Sequence, residues 1–248
     1  MVSGGEWIYG RNPVEEALAA GRRTCTEVIL PPFDTLDGQL RRIHDECVAR
    51  RIMIAHKDRH ELDKLTHFGH HQNVALKTTG YPYVGFEDIV RAAHDDENAL
   101  VLVLDHLEDP QNVGAILRTA CAVGVAGVVI PEDRACGITP AAVRASAGGT
   151  EYLKVAHVVN LPRAIDDLKD AGLWFTGLDW GDDSKPYTEV DFKGPVGLVV
   201  GAEGSGISRL VREKCDFIAH LPMPGGFESL NAATAASVTL YEVLRQRR

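Results

Sequence analysis

The run LVLVL at residues 100–104 sets five apolar residues in succession with no polar alternation. A strand of that kind must be buried on both faces, as in a parallel sheet covered by helices. GVVI at 127–130 repeats the demand, and further strands are predicted at 173–178, 196–200 and 217–221. Helical patterns lie between them. VGAILRTACAVG puts Val113, Ile116, Leu117, Ala120 and Val123 on one stripe, and 161–171 and 229–246 also read as helices. This alternation predicts an α/β fold with a mostly parallel sheet.

The first part of the chain reads as a smaller α/β unit. NPVEEALAAGRR is predicted to be a helix capped by Asn12 and stopped by Gly21. TEVIL, RIMIA and QNVALKT are predicted strands, with helices at 36–50 and 59–65. TGYPYVGF, rich in glycine, proline and aromatic residues, suits a connector, and FEDIVRAAH a helix leading onward. The expected division is a first domain at 1–80, a linker at 81–97 and a second domain at 98–248.

The formal net charge of −9 argues against a general nucleic-acid coat. Residues 1–80 nevertheless balance eleven Lys/Arg against eleven Asp/Glu, so the whole deficit falls on 81–248. Any polyanion must then meet local basic patches. Arg22-Arg23, Arg41-Arg42 and Arg50-Arg51 are the candidates, although composition alone favours solvated surface charge. The five cysteines are odd in number, scattered and never C-x-x-C, which points to a reducing cytosol without structural disulfides or a cysteine zinc site. His67, His70 and His71 read as a solvated polar turn, and no metal is expected. No apolar run approaches the roughly 20 residues of a membrane helix, and the first residues lack signal-peptide features. The expectation is a cytoplasmic protein with no membrane partner.

Three segments put polar groups where α/β sheets bind ligands, beyond the carboxyl ends of strands. In LDHLEDPQNVGAILRTA, Asp105 ends a strand and Asn112 and Arg118 stand six residues apart. Their side chains diverge by about 120° on one helix, so convergence requires Asn112 to precede the helix proper. A cap at Asn112 and a surface Arg118 is the competing reading. GLVVGAEGSGIS carries Gly201 and Glu203 but neither a P-loop lysine nor G-x-G-x-x-G. LPMPGGFESLNAATAASV sets Ser229 and Asn231 at the opening of a long helix whose alanines permit close backbone approach.

In this order the segments resemble the motifs of the SpoU/TrmH branch of the SPOUT RNA 2′-O-methyltransferases. Asp109 to Ala120 matches D-P-x-N-x-G-A-x-x-R-[ST]-A, Gly201 to Gly206 matches G-x-E-x-x-G, and Pro222 to Asn231 matches P-M-x-G leading into S-L-N. IYGRNPVEEAL resembles the opening of the ribosomal-protein-like RNA-binding domain of many members. Within the family, GAEG at 201–204 and the terminal EVLRQR resemble the RlmB type, which methylates a guanosine ribose in large-subunit (23S) rRNA. Two departures are Ala232, where Val is usual, and the glycine-rich, acidic PGGFES.

The resemblance implies a SPOUT α/β-knot catalytic domain with a deep trefoil knot, working as a homodimer. It implies S-adenosyl-L-methionine held by backbone around Gly201, Leu221 and Leu230, with Met223 close by. It places Asn112, Arg118, Glu203, Ser229 and Asn231 at the catalytic site and requires no metal. A guanidinium does not readily give up its proton, so Arg118 is expected to clamp RNA phosphate and stabilise developing negative charge. The same chemistry on another rRNA site or a tRNA is the alternative, and an inactive RNA-binding or ribosome-assembly factor is the rival class. A Rossmann oxidoreductase is disfavoured by the missing G-x-G-x-x-G after an early strand.

Overall fold

The computed structural model of the chain describes residues 5–226 and 229–248. It divides into two compact units, Met1–Pro82 with Ile138–Tyr152, and Tyr83–Gly137 with Leu153–Arg248.

The first unit runs β1 (Glu6–Tyr9), α1 (Arg11–Ala20), β2 (Cys25–Leu30), α2 (Gly38–Ala49), β3 (Met53–His56), α3 (Arg59–Leu65) and β4 (Ala75–Thr78). Its sheet has the order β1-β4-β2-β3, with β4 antiparallel to both neighbours and β3 parallel to β2. Local signals explain the helix ends. Asp37 caps α2 through the Leu40 N–H, and Asp58 and Glu61 form a reciprocal capping box on α3. Gly21 ends α1 in the left-handed conformation, as expected. The start of α1 corrects the sequence reading. Gly10 holds the N-cap position, and Asn12 lies inside the helix, where its Oδ1 accepts from Gln39. The histidine turn also differs from a solvated one. His71 is buried, takes the Asn73 N–H on Nδ1 and therefore donates from Nε2 to Asp63 at 3.0 Å.

The second unit begins with α4 (Phe86–His94), β5 (Leu100–Asp105), α5 (Pro110–Val123) and β6 (Gly127–Pro131). The chain then contributes α6 (Pro140–Ala145) to the first unit. It returns through β7 (Val155–Val158), α7 (Leu161–Asp170), β8 (Trp174–Leu178), β9 (Lys185–Pro186), β10 (Val196–Gly201), α8 (Arg209–Arg212), β11 (Phe217–His220) and α9 (Ala232–Gln246). Seven strands form one parallel sheet in the order β7-β6-β5-β10-β8-β11-β9. Every residue of β5, β6 and β10 is buried, as continuous apolar runs require. The stretch 81–97 carries α4, whose Ile89 and Ala93 join Ile165, Leu168 and Phe175 in the core of this unit.

Within the first unit, Ile138–Tyr152 is tied down by charge. Arg23 donates to both Glu151 oxygens, at 2.8 Å from Nε and 2.7 Å from Nη2, and also bonds Glu6. The Arg23 and Glu151 side chains are both 0% exposed. Tyr81 lies beneath Arg22 and Arg23, donates to the Thr150 carbonyl at 3.1 Å, and has its phenol pushed up to about 12 by burial. Arg22-Arg23 is therefore structural rather than a phosphate patch. Arg42 and Arg50 pair with Glu15 and Glu46, and Arg41 lies over Phe33. Arg23→Ala would strand a buried carboxylate, and is predicted to cost about 3–5 kcal/mol in urea unfolding. A loss below about 1 kcal/mol would contradict this account of the unit.

Candidate active site

The carboxyl ends of β5, β8, β10 and β11 open on one side of the second unit. Gly201 stands opposite Asp105, and Val200 and Ala219 both stand opposite Leu178. The chain winds outward from β5 through β6 to β7, while β10 and β8 lie on its other flank. A crevice forms where the winding reverses.

The loop after β10 folds tightly on itself. The Gly206 N–H donates to the Ala202 carbonyl at 2.9 Å, and Gly204 and Gly206 take φ of 80° and 64°. A Cβ on Gly201 would fall on the Gly206 and Ile207 backbone. The glycines thus close the loop first of all, and the closure leaves Glu203 exposed at its tip.

Asn231 joins the three segments. It is the N-cap of α9, and its Oδ1 accepts from the Ala233 and Thr234 N–H groups at 2.9 and 3.1 Å. Capping turns the amide nitrogen outward, where Nδ2 donates to Asn112 Oδ1 at 2.8 Å and to the Glu203 carboxylate. Glu203 Oε1 also accepts the Ala232 N–H at 3.3 Å. Because Asn112 spends its oxygen on Asn231, its own NH₂ group remains to donate elsewhere.

Two cavities flank this link. The first, about 610 Å³, is lined by Gly201, Glu203, Leu221, Met223, Ser229, Leu230 and Asn231. The second, about 550 Å³, is lined by Asp105, His106, Asp109, Asn112, Arg134 and Glu203. Glu203, Ala202 and Gly206 belong to both walls.

Seven of the eight residues picked from sequence therefore meet here, and Arg118 does not. It is exposed on α5 and lines neither cavity. The expectation that Asn112 precedes the helix is also corrected. Asp109 caps α5 through the Gln111 and Asn112 N–H groups, which puts Asn112 in the first turn. Arg118 then points about 120° away around the same helix. The helix expected from residue 229 starts at Ala232, so Ser229 and Leu230 precede it. Within PGGFES, Phe227 and Glu228 lie outside the described residues.

Sequence reasoning missed Asp179, Trp180 and His220 on the first cavity. Trp180 stacks on His220 with centroids 4.1 Å apart, and His220 Nδ1 lies 2.9 Å from Ser184 Oγ. All three follow or end the strands β8 and β11, so their place at carboxyl ends was the available signal. Asn231→Ala is predicted to lose about 1 kcal/mol in urea unfolding, and Asn231→Ser, which can still cap, to regain most of it. Equal losses in both variants would contradict the capping role.

Comparison with known proteins accords with this geometry. Residues 99–241 match the SpoU rRNA Methylase family, and residues 7–84 match the RNA 2′-O ribose methyltransferase substrate binding family. A TrmH family tRNA/rRNA methyltransferase of Bacillus subtilis, YacO, is 39% identical over 98% of this chain and 96% of its own. A tRNA/rRNA methyltransferase of Mycolicibacterium gilvum is 43% identical, covering 98% of this chain and 77% of its own. Among solved structures, the SpoU methyltransferase AviRb of Streptomyces viridochromogenes with AdoMet superposes with a TM-score of 0.80 at 26% identity, over 98% of this chain and 90% of that one. The AdoMet-bound rRNA methyltransferase of Sinorhizobium meliloti gives 0.80 at 25% identity, over 97% and 87%. The first cavity fits that donor chemically. Glu203 puts an exposed carboxylate on its wall, Trp180 offers an aromatic face, and Val200 and Leu178 supply apolar wall, which suits a molecule bearing a sulfonium and an ammonium. The Asp179 carboxylate is already paired with Arg212 at 3.0 Å. With S-adenosylmethionine as its methyl donor, the chain belongs to the SpoU/TrmH family of RNA 2′-O-ribose methyltransferases.

Proposed function

We propose that the protein methylates the 2′-oxygen of a guanosine ribose in large-subunit (23S) rRNA, as the RlmB type does. The observation that carries this reading is the shared wall. Glu203 lines both cavities and is bonded to Asn231, which in turn is bonded to Asn112. A methyl donor on one side and a ribose on the other would meet across it. S-adenosylmethionine, when bound, supplies a methyl group activated on sulfur.

The chain's own residues have the remaining work. Asn112 lines the second cavity with its oxygen held by Asn231, which leaves its NH₂ group to donate to the ribose oxygen as negative charge develops. Glu203 and Asn231 hold the two substrates in register, which restricts the approach of oxygen to carbon. Ser229 stands on the first cavity beside Leu230 and positions that loop against the donor. Arg118, exposed on α5, is assigned to the RNA phosphate rather than to a proton. The exposed carboxylate of Glu108 on the second cavity matches the N–H donors of a guanine edge, which supports the guanosine assignment.

The same reading includes a deep trefoil knot whose loops are the segments after β10 and β11, and a homodimer in the cytoplasm. The all-parallel order with β10 between β5 and β8 supports the knot. Val238 and Tyr241, exposed on α9, support a second copy packing on that helix. The first unit is assigned to folded RNA, recognised by shape and phosphate contacts. A tRNA target is the second reading, favoured by relatives named tRNA/rRNA methyltransferases.

The test is incubation with labelled S-adenosylmethionine and total RNA, followed by mapping of alkali-resistant riboses. Label is expected at a guanosine of large-subunit rRNA. Label confined to tRNA overturns the rRNA assignment, and no label in RNA overturns the enzymatic reading.

A further inference from the structure

The loop at 66–74, between α3 and β4, holds an aromatic ring away from the core of its own unit. Leu62 before it and Ala75 after it are buried in that core, whereas Phe68 is 77% exposed. A single exposed apolar side chain is ordinary. The backbone that carries this one is not. His67, Phe68, Gln72 and Asn73 hold φ between 50° and 64°. Asparagine enters this left-handed region readily, but a bulky side chain does so at a cost that persists only where surrounding contacts impose it.

Those contacts are present. The Phe68 N–H donates to the Asp63 carbonyl at 2.6 Å, the His67 N–H to the Lys64 carbonyl at 3.3 Å and the Gly69 N–H to the Thr66 carbonyl at 3.0 Å. The buried Thr66 hydroxyl donates to the Leu62 carbonyl at 2.9 Å. A Cβ on Gly69 would stand 2.6 Å from the Tyr9 ring, so glycine alone lets the turn lie against the end of β1. His71, buried and bonded to Asp63 at 3.0 Å, closes the base of the loop. The turn is fixed from below, and its tip gives Phe68 to solvent.

The charge of the segment narrows what the ring can meet. Lys64, His67 and His70 are exposed beside it in the chain, and Arg144 donates to the His70 carbonyl at 3.1 Å. Asp63 is the only carboxylate between Glu61 and Ala75, and His71 already engages it. A protein partner would need a broader apolar patch than one ring. An unpaired nucleotide needs no more than this: its base has a flat face for the aromatic ring and its phosphate an attraction to the neighbouring cation. The loop also falls within residues 7–84, which match the substrate binding family.

We propose that Phe68 stacks on an unpaired base of the RNA substrate, with Lys64 meeting the adjoining phosphate. The first unit then reads a splayed base in addition to RNA shape. This inference rests on the RNA methyltransferase reading and deepens it.

The test uses the full chain with Phe68→Leu, which keeps an apolar side chain, and Phe68→Trp, which keeps an aromatic face. Methyl transfer from labelled S-adenosylmethionine is measured against the concentration of total RNA. Phe68→Leu is expected to raise the half-saturating RNA concentration about fivefold or more, as loss of one base–aromatic stack does. Its kcat, S-adenosylhomocysteine affinity and urea unfolding are expected to match wild type. Phe68→Trp is expected to keep the wild-type half-saturation. A second readout needs no methyl transfer. The indole emission that Phe68→Trp adds over wild type should be quenched by total RNA and unchanged by a perfectly paired RNA duplex. Phe68→Leu within about twofold of wild-type half-saturation, Phe68→Trp as impaired as Phe68→Leu, or an indole that total RNA leaves unquenched would each overturn the stacking role. Equal quenching by the duplex would overturn the unpaired base. Wild type that transfers no methyl to RNA would overturn the methyltransferase reading instead, and the quenching would still decide the contact.

Discussion

One side-chain amide holds this site together. Asn231 uses its oxygen to cap α9 and its nitrogen to bind Asn112 and Glu203, so helix capping and site assembly share one group. The cap decides which way the amide faces, and that orientation in turn decides which atom Asn112 presents to the second cavity. Without the cap requirement, the amide could turn over and the link would lose its polarity. Three segments distant in sequence are thus locked by a geometry that the helix itself enforces.

The sheet supplies the frame for that lock. Parallel strands bring their carboxyl ends to one side, and β5, β8, β10 and β11 each deliver a loop there. The buried apolar strands fix these exits, while the loops carry the polar groups. The loop after β10 is stiffened by its own backbone closure, which holds Glu203 as a partition between two spaces of comparable size. The first cavity combines the exposed Glu203 carboxylate with the Trp180–His220 stack, a setting suited to a cationic cofactor without phosphate. In the first unit, the Arg23–Glu151 pair does for the returning segment what Asn231 does for the loops.

The core strands were legible because an apolar run without alternation has few alternatives, and β5, β6 and β10 follow it. The motif residues Glu203, Ser229 and Asn231 were legible from resemblance, yet the bond that joins Glu203 to Asn231 was not. It depends on a cap geometry that spacing does not encode. Asn112 was misplaced because Asp109, followed by Pro110 at the first helical position, already starts the helix there. Asn12 failed as a cap for a related reason: Gly10 ends the preceding strand early enough to take the position. Arg23 looked like surface charge because its partner Glu151 stands 128 residues away. Trp180 and His220 meet only through the pairing of β8 with β11, which no local pattern announces.

The most direct measurement is a crystal structure of the protein with S-adenosylhomocysteine and a guanosine-containing RNA oligonucleotide. The account predicts the thioether sulfur in the cavity of Trp180 and Leu230, with a ribose 2′-oxygen facing it from the side of Asn112, across the Glu203–Asn231 link. A cofactor bound elsewhere, or a ribose that enters the same cavity without meeting Asn112, would contradict it.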